Sequence, residues 1–348
     1  MSWLDSVQSR LSLPVIASPM FIVSNPRLVA AECKAGIVGS FPALNARPVE
    51  LLDDWLTQLK AELATHNAAH PERPAAPFAV NQICHRSNDR LMRDMETCVK
   101  HQVPIIITSL QVSAELVAAA HSYGGVVFHD VTTIRHAEKA IEAGVDGLIL
   151  VCAGAGGHAG TLSPFALLPE IRRIFQGPIA LAGAIANGRA ILAAQAMGAD
   201  FAYMGTRFIA TQEANAVDAY KQMLVDTRAE DIVYSSLFTG VPGNYLKPSI
   251  AAAGMDPDNL PSADKSKMDF GSGGNSAAKA WRDIWGAGQG VGSIDSVPSV
   301  AELVDQLKAE YREAREDVAR RALGEEARGE LGVVDVIEDQ QQIGRASC

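Results

Sequence analysis

Eight short apolar runs recur along the chain, each bounded by turn residues and separated from the next by a stretch whose apolar positions mostly fall at helical spacing. They are 13–20 (LPVIASPM), 36–41 (GIVGSF), 78–83 (FAVNQI), 105–110 (IIITSL), 125–130 (GVVFHD), 147–152 (GLILVC), 178–183 (PIALAG) and 201–206 (FAYMGT). Successive runs begin 20 to 42 positions apart, the spacing of β-α units. Helical patterns occupy 25–35, 49–64, 89–100, 114–122, 133–143, 167–174 and 189–197. Near-continuous apolar strands joined by helical crossovers predict a parallel sheet covered on its outer side, and eight units are the number that closes an α/β (β/α)8 TIM barrel. A doubly wound open sheet is the alternative.

The rhythm stops after Thr206. Residues 217–292 combine helical pieces with Gly/Pro punctuation (TGVPGNYLKP) and a polar, Gly-rich stretch, so the barrel over 1–216 is expected to carry a smaller inserted, mainly helical lid domain there. Tyr245 and Trp285 are expected in this roof, governing substrate access. Over 293–331 a charged helix resumes, with Val300, Leu303, Val304, Leu307 and Tyr311 on one face suited to packing back on the barrel wall. Residues 332–348 read as a tail.

With 348 residues, 48% of them hydrophobic and 20% charged, the chain has the material for a large core. A net charge of −10 opposes binding to polynucleotides, so no nucleic acid is expected as a partner. The five cysteines (Cys33, Cys84, Cys98, Cys152 and Cys348) form no C-x-x-C pair, which argues against disulfides and a metal site and for a reducing, cytoplasmic setting. Asp5 stands where a secretory leader carries basic residues, and no apolar run is long enough to span a bilayer; a soluble monomer or homodimer without a membrane partner is expected.

Barrel enzymes build their sites at the C-terminal ends of the strands. Two ends here are glycine turns, GAIANG over 183–188 and Gly205-Thr206, which suit a phosphate held by backbone N–H groups beside helix N-termini; the plainer reading is tight βα turns. The most specific segment is CAGAGGHAG over 152–160, which presents His158, an imidazole able to exchange protons near neutral pH, on a flexible glycine loop. Its partial match to a dinucleotide fingerprint fails because no acidic residue ends the next strand. Asn81 either bonds a planar ring or caps a helix. His129, Asp130 and Asp200 read equally well as structural polar residues, Cys84 and Cys152 as small core residues, and His66, His70, His101, His121 and His136 as solvated surface.

In order, ASPM over 17–20, FAVN over 78–81, AGGHAG over 155–160, AGAIANGR over 182–189, GAD over 198–200 with MGTRF over 204–208, and WGAGQ over 285–289 resemble the nitronate monooxygenase family, formerly 2-nitropropane dioxygenases. The resemblance spans roughly 13–292 and implies an FMN-containing barrel. It places the FMN phosphate at Gly183, Gly205 and Thr206, the ring near Pro19, Met20 and Asn81, further contacts at Ser18, Ala153 and Gly154, and Gln289 at the flavin edge. The implied reaction oxidises an alkyl nitronate with O2 to a carbonyl compound and nitrite, His158 being the catalytic residue that holds the anion or takes a proton from the neutral nitroalkane. The same scaffold resembles NAD(P)H:quinone reductases and flavin-dependent enoyl-acyl-carrier-protein reductases, so the small-molecule substrate is a nitronate or a quinone. A resemblance to IMP dehydrogenase-like barrels lacks the nucleophilic cysteine of the loop after the sixth strand, where only Cys152 is near. A non-enzymatic module storing a phosphorylated ligand would bind without turnover.

Overall fold

A computed structural model describes residues 3–261 and 283–323. The tail and residues 262–282 of the insertion lie outside the described residues. Eight parallel strands form one sheet: β1 (Val15–Ala17), β2 (Gly39–Pro42), β3 (Phe78–Cys84), β4 (Ile105–Leu110), β5 (Val126–Val131), β6 (Gly147–Val151), β8 (Ile179–Ala182) and β9 (Phe201–Met204). The strand order is β1-β9-β8-β6-β5-β4-β3-β2, and a parallel bridge between Ile16 and Val38 joins its two ends. The sheet therefore closes as a (β/α)8 TIM barrel, and the open-sheet alternative is excluded.

Helices α2 (Pro26–Lys34), α3 (Leu51–Ala69), α4 (Leu91–Lys100), α5 (Ala114–His121), α6 (Ile134–Glu142), α7 (Pro164–Arg172) and α8 (Gly188–Ala196) cover the outside. Asn25, Ser113, Thr133, Ser163 and Asn187 each accept a hydrogen bond from a first-turn N–H of the helix that follows. Each such cap is worth about 1 kcal/mol and fixes where a βα loop ends. α7 starts earlier than the apolar spacing over 167–174 suggested, because Ser163 caps it and Pro164 occupies its first turn.

Strand alternation divides the interior. Ile16, Val38, Ala79, Ile105, Ile107, Phe128, Ile149, Ala180 and Phe201 point to the axis and pack as one cluster, closed below by Leu4, Val7 and Leu11 around α1 (Trp3–Gln8). Phe128 and Phe201 meet edge to face, with centroids 6.3 Å apart. The intervening residues, among them Val80, Ile106, Val127, Leu148, Leu150, Leu181 and Ala202, pack outward against the helices. Two residues beyond the axial apolar layer, the same face carries Asn81, Ser109, Asp130, Val151, Ala182 and Tyr203, which floor a cavity at the strand C-termini.

Beyond α9 (Thr206–Ile209), the insertion carries α10 (Asp218–Asp226) and α11 (Lys247–Ala252), together with strands absent from the sequence reading. β10 (Ile232–Ser235) and β11 (Gly243–Leu246) pair antiparallel, and β11 also pairs with β7 (Gly157–His158), putting Gly243 opposite His158. The glycine segment expected as a flexible loop is thus partly a strand. Tyr245 is fully buried among Ile250, Ile284 and Phe238, so it builds the insertion's own core and does not roof the cavity. α12 (Val300–Leu323) buries Val300, Leu303, Val304 and Leu307, as its apolar stripe predicted, and crosses α8 where Gly188 donates from its backbone N–H to Glu310 at 2.7 Å.

Candidate active site

The cavity above the barrel floor has a volume of about 860 Å³, within the range of cofactor and substrate pockets. Ser18, Pro19, Met20, Asn81, Gly154, His158, Gly183, Gly205 and Thr206 all border it, although they come from six separate strand ends. Ala153 and Gln289 do not. The Ala153 N–H is bonded to the Leu162 carbonyl at 2.8 Å, and Gln289 is exposed, its N–H bonded to the Gly154 carbonyl at 2.9 Å. Gln289 therefore fastens the returning segment to the glycine turn from outside.

His158 sits on β7, and its Nε2 lies 2.9 Å from the Thr239 hydroxyl, which itself donates to the Val241 carbonyl. With the Thr239 proton on the Val241 carbonyl, Nε2 is the donor, which sets the tautomer of the neutral ring. Burial depresses the imidazole pKa from 6.5 to about 4. The ring is neutral near pH 7. Asn244 donates to the Ala155 carbonyl at 2.6 Å, Tyr234 donates to the Ala159 carbonyl at 2.8 Å, and Thr206 accepts from the Gly288 N–H. The glycine segment is clamped from both sides by the insertion.

The glycine turns are set by these close approaches. A Cβ on Gly183, whose φ is +139°, would lie 2.8 Å from the Ala153 carbonyl oxygen, and one on Gly156 would lie 2.7 Å from the Gly288 nitrogen. Replacing either glycine would displace the loops before it touched any ligand. The N-terminus of α8 does not serve as an anion site, since Glu310 and the Asn187 side chain already take its N–H groups. A phosphate would be met by the turns themselves. Arg207, next to Thr206 in the chain, does not border the cavity: it is 1% exposed, its guanidinium lies in the field of Asp295 and Glu310, and neither terminal nitrogen has a hydrogen-bond partner among the described residues.

Strain gathers at this mouth. Of the four described non-glycine residues with positive φ, three, Ile22 (67°), Leu110 (73°) and Ala184 (56°), border the cavity. Asn45 and Asn215 hold the first of these in place through its backbone N–H and carbonyl, each at 3.0 Å.

Asp130, read from the sequence as equally well structural, lies on the cavity floor. Its Oδ2 accepts from Ser109 Oγ at 2.6 Å, and that oxygen accepts from Asn81 Nδ2 at 2.7 Å. Asn81 caps no helix. Burial raises the Asp130 pKa from 3.8 to about 6. Its neighbour His129 faces outward, bonded to Thr108, and is structural. The period of two along β5 was the available signal, since Asp130 shares parity with Val126 and Phe128. Asp200 bonds Arg172 and the Ile179 N–H and is likewise structural. His136 is exposed as expected but borders the cavity, whereas His101 is only 11% exposed and lies 2.7 Å from Asp53. Cys152 is buried in the outer core with its thiol pKa pushed up to about 12, which removes the nucleophile an IMP dehydrogenase-like reaction requires. Among the described residues no His/Cys/Asp/Glu group could hold a metal ion, and no helix is long and apolar enough to cross a membrane.

The chain resembles the nitronate monooxygenase of Paraburkholderia phytofirmans, with 28% identity over 89% of this chain and 95% of that protein. A Rhodococcus jostii protein named as a 5-hydroxy-7a-methyl-1-oxo-octahydro-1H-indene-4-carboxyl-CoA dehydrogenase is 30% identical over 67% of this chain and 62% of its own length. A nitroalkane oxidase from Streptomyces ansochromogenes shares the fold, with a TM-score of 0.74 at 23% identity over 90% of this chain and 99% of that one. The pattern that defines the nitronate monooxygenase family matches residues 6–310, and the chain belongs to that family.

Proposed function

We propose that this protein oxidises alkyl nitronates with O2 to carbonyl compounds and nitrite, with FMN held in the cavity and a base able to admit the neutral nitroalkane. The observation that carries this reading is His158, fixed by Thr239 at the wall of a largely apolar cavity whose other ends are glycine turns. Gly183, Gly205 and Thr206 are the residues that would hold the phosphate, and Pro19, Met20 and Asn81 those that would border the ring. Bound FMN would supply the one-electron chemistry linking nitronate oxidation to oxygen.

The protein's own groups bind and orient the substrate. A neutral His158 in an apolar wall presents no like charge to a nitronate, and the anion beside it favours protonation of the ring. Proton uptake would then turn the ring into a charge-assisted donor to the nitronate oxygen. Trp285, stacked on Tyr220 with centroids 4.8 Å apart, walls the cavity from the insertion side and limits water entry.

The test mixes purified, flavin-loaded protein anaerobically with a nitronate, NADH or NADPH in turn. Bleaching of the flavin by the nitronate, followed by nitrite release when oxygen is admitted, is expected. Bleaching by NAD(P)H alone, with transfer to a quinone, would replace this reading with the reductase one.

A further inference from the structure

We infer that Arg47 is a specificity-determining residue, its guanidinium pairing with a carboxylate at the far end of an apolar substrate whose nitronate lies at His158. The inference rests on the nitronate-oxidising reading and narrows its substrate class. Arg47 follows β2 and His158 follows β6, and these strands are four steps apart around a closed ring of eight, so the two residues stand on opposite sides of the mouth. Strands about 4.8 Å apart close such a ring on the order of 12–15 Å across, a gap that the two side chains narrow from either side.

Arg47 borders the cavity and is exposed at its rim. Its Nε donates to the Leu44 carbonyl at 2.9 Å, and its guanidinium lies over the Phe21 ring, 5.4 Å from the centroid. The side chain is thereby held, while its two terminal nitrogens make no hydrogen bond or ion pair among the described residues. The edge they form matches the two oxygens of a carboxylate. Among the described residues Arg47 is the one permanent cation bordering the cavity, in a chain of net charge −10. Its neighbour Arg90 is buried and already paired with Asp94 at 2.8 Å. Burial, and after it the field of Arg90, lowers the Arg47 pKa, and an arriving anion offsets both. Asp130, the acidic residue on the lining, is three strands away from β2 and lies on the floor, bonded to Ser109.

The rim indicates what joins the two ends of the substrate. Ile22, Leu110, Leu162, Val217 and Tyr234 border the cavity and are 38–61% exposed, an apolar collar that a hydrocarbon body would cover. A short substrate held at His158 would leave the collar and the guanidinium in water. A phosphate dianion would bring a second charge into this apolar setting for one guanidinium to meet, whereas a carboxylate brings one.

The experiment compares the nitronates of 8-nitrooctanoate and 8-nitrooctan-1-ol in the wild type, Arg47→Met and Arg47→Lys. A charge-assisted pair made at an exposed rim predicts a kcat/KM preference for the carboxylate of about 10-fold, weakened by added salt. That preference should collapse in Arg47→Met and be intermediate in Arg47→Lys, which keeps the charge and loses the planar edge. The short pair 3-nitropropionate and 3-nitropropan-1-ol should keep one ranking in all three proteins, and a ranking that shifted with Arg47 as much as that of the long pair would overturn the spanning geometry. Calorimetric binding of octanoate against octan-1-ol reads the same preference without turnover, so an Arg47-dependent preference there supports the inference even if the wild type oxidises no nitronate and the functional reading fails. An equal preference in wild type and Arg47→Met overturns the inference, as does loss of flavin absorbance with an unchanged ranking, which would give the guanidinium to the cofactor.

Discussion

At the scale of single residues, the site places two groups of opposite tendency in one chamber. Burial keeps the His158 imidazole neutral down to about pH 4 and brings the Asp130 carboxyl to about 6. A nitronate that binds beside His158 should therefore carry a proton in with it, so its apparent affinity should rise as pH falls. His158→Gln keeps a donor but cannot titrate. It is expected to lower nitronate kcat/KM by about 10- to 150-fold, the range for losing a hydrogen bond to a charged group, and to flatten this pH dependence. A variant whose pH profile still matched the wild type would remove the imidazole from substrate binding. His158 was legible because a histidine among glycines at a strand end has no packing role. Thr239, which fixes its tautomer, was not, because it joins β7 through a contact 81 residues distant in sequence.

At the scale of elements, the barrel strands and their helices were legible because each carries its own periodicity, and five of the seven outer helices also carry their own N-cap. The insertion was less so. β7 is two residues of glycine and histidine, and it becomes a strand only because β11 pairs with it. Nothing local to 157–158 encodes that partner. The α8–α12 crossing shows the same dependence. A Cβ on Gly188 would fall 2.5 Å from the Leu307 carbonyl oxygen and 2.6 Å from Glu310 Cβ. Gly188→Ala should force the two helices apart and destabilise the protein by about 1–3 kcal/mol, as overpacking does, despite alanine's better helix propensity. Denaturant unfolding measures this, and a stabilised variant would mean that the helices do not touch at this point. Because Glu310 also holds the α8 N-terminus beside the Gly183 turn, flavin affinity should weaken in the same variant.

At the scale of the whole molecule, burial biases His129, His158 and Asp130 each toward its neutral form; the window in which all three are neutral runs from about pH 4 to about pH 6, and above it Asp130 is ionised. The two imidazoles have folded values below the unfolded 6.5, so their contribution to stability is complete above pH 6.5 and is lost as pH falls toward 4. Asp130 has the opposite sign. Its folded value lies above the unfolded 3.8, so the folded state is favoured at low pH and loses that advantage as pH rises from about 4 through 6. Asp130→Asn should consequently be more stable than the wild type at pH 8, by roughly 1–3 kcal/mol after allowance for the lost bond to Ser109, and the gap should close near pH 4. His129→Gln, which can still bond Thr108, should behave in reverse: less stable than the wild type at pH 8, with the difference shrinking as pH falls below 6.5 and the wild type gives up its own contribution. Urea unfolding of the three proteins from pH 4 to pH 8 distinguishes these slopes. Gaps that stayed constant with pH would assign both side chains to packing alone, whereas opposite slopes would show that burial sets the titration of each, the carboxyl upward and the imidazole downward.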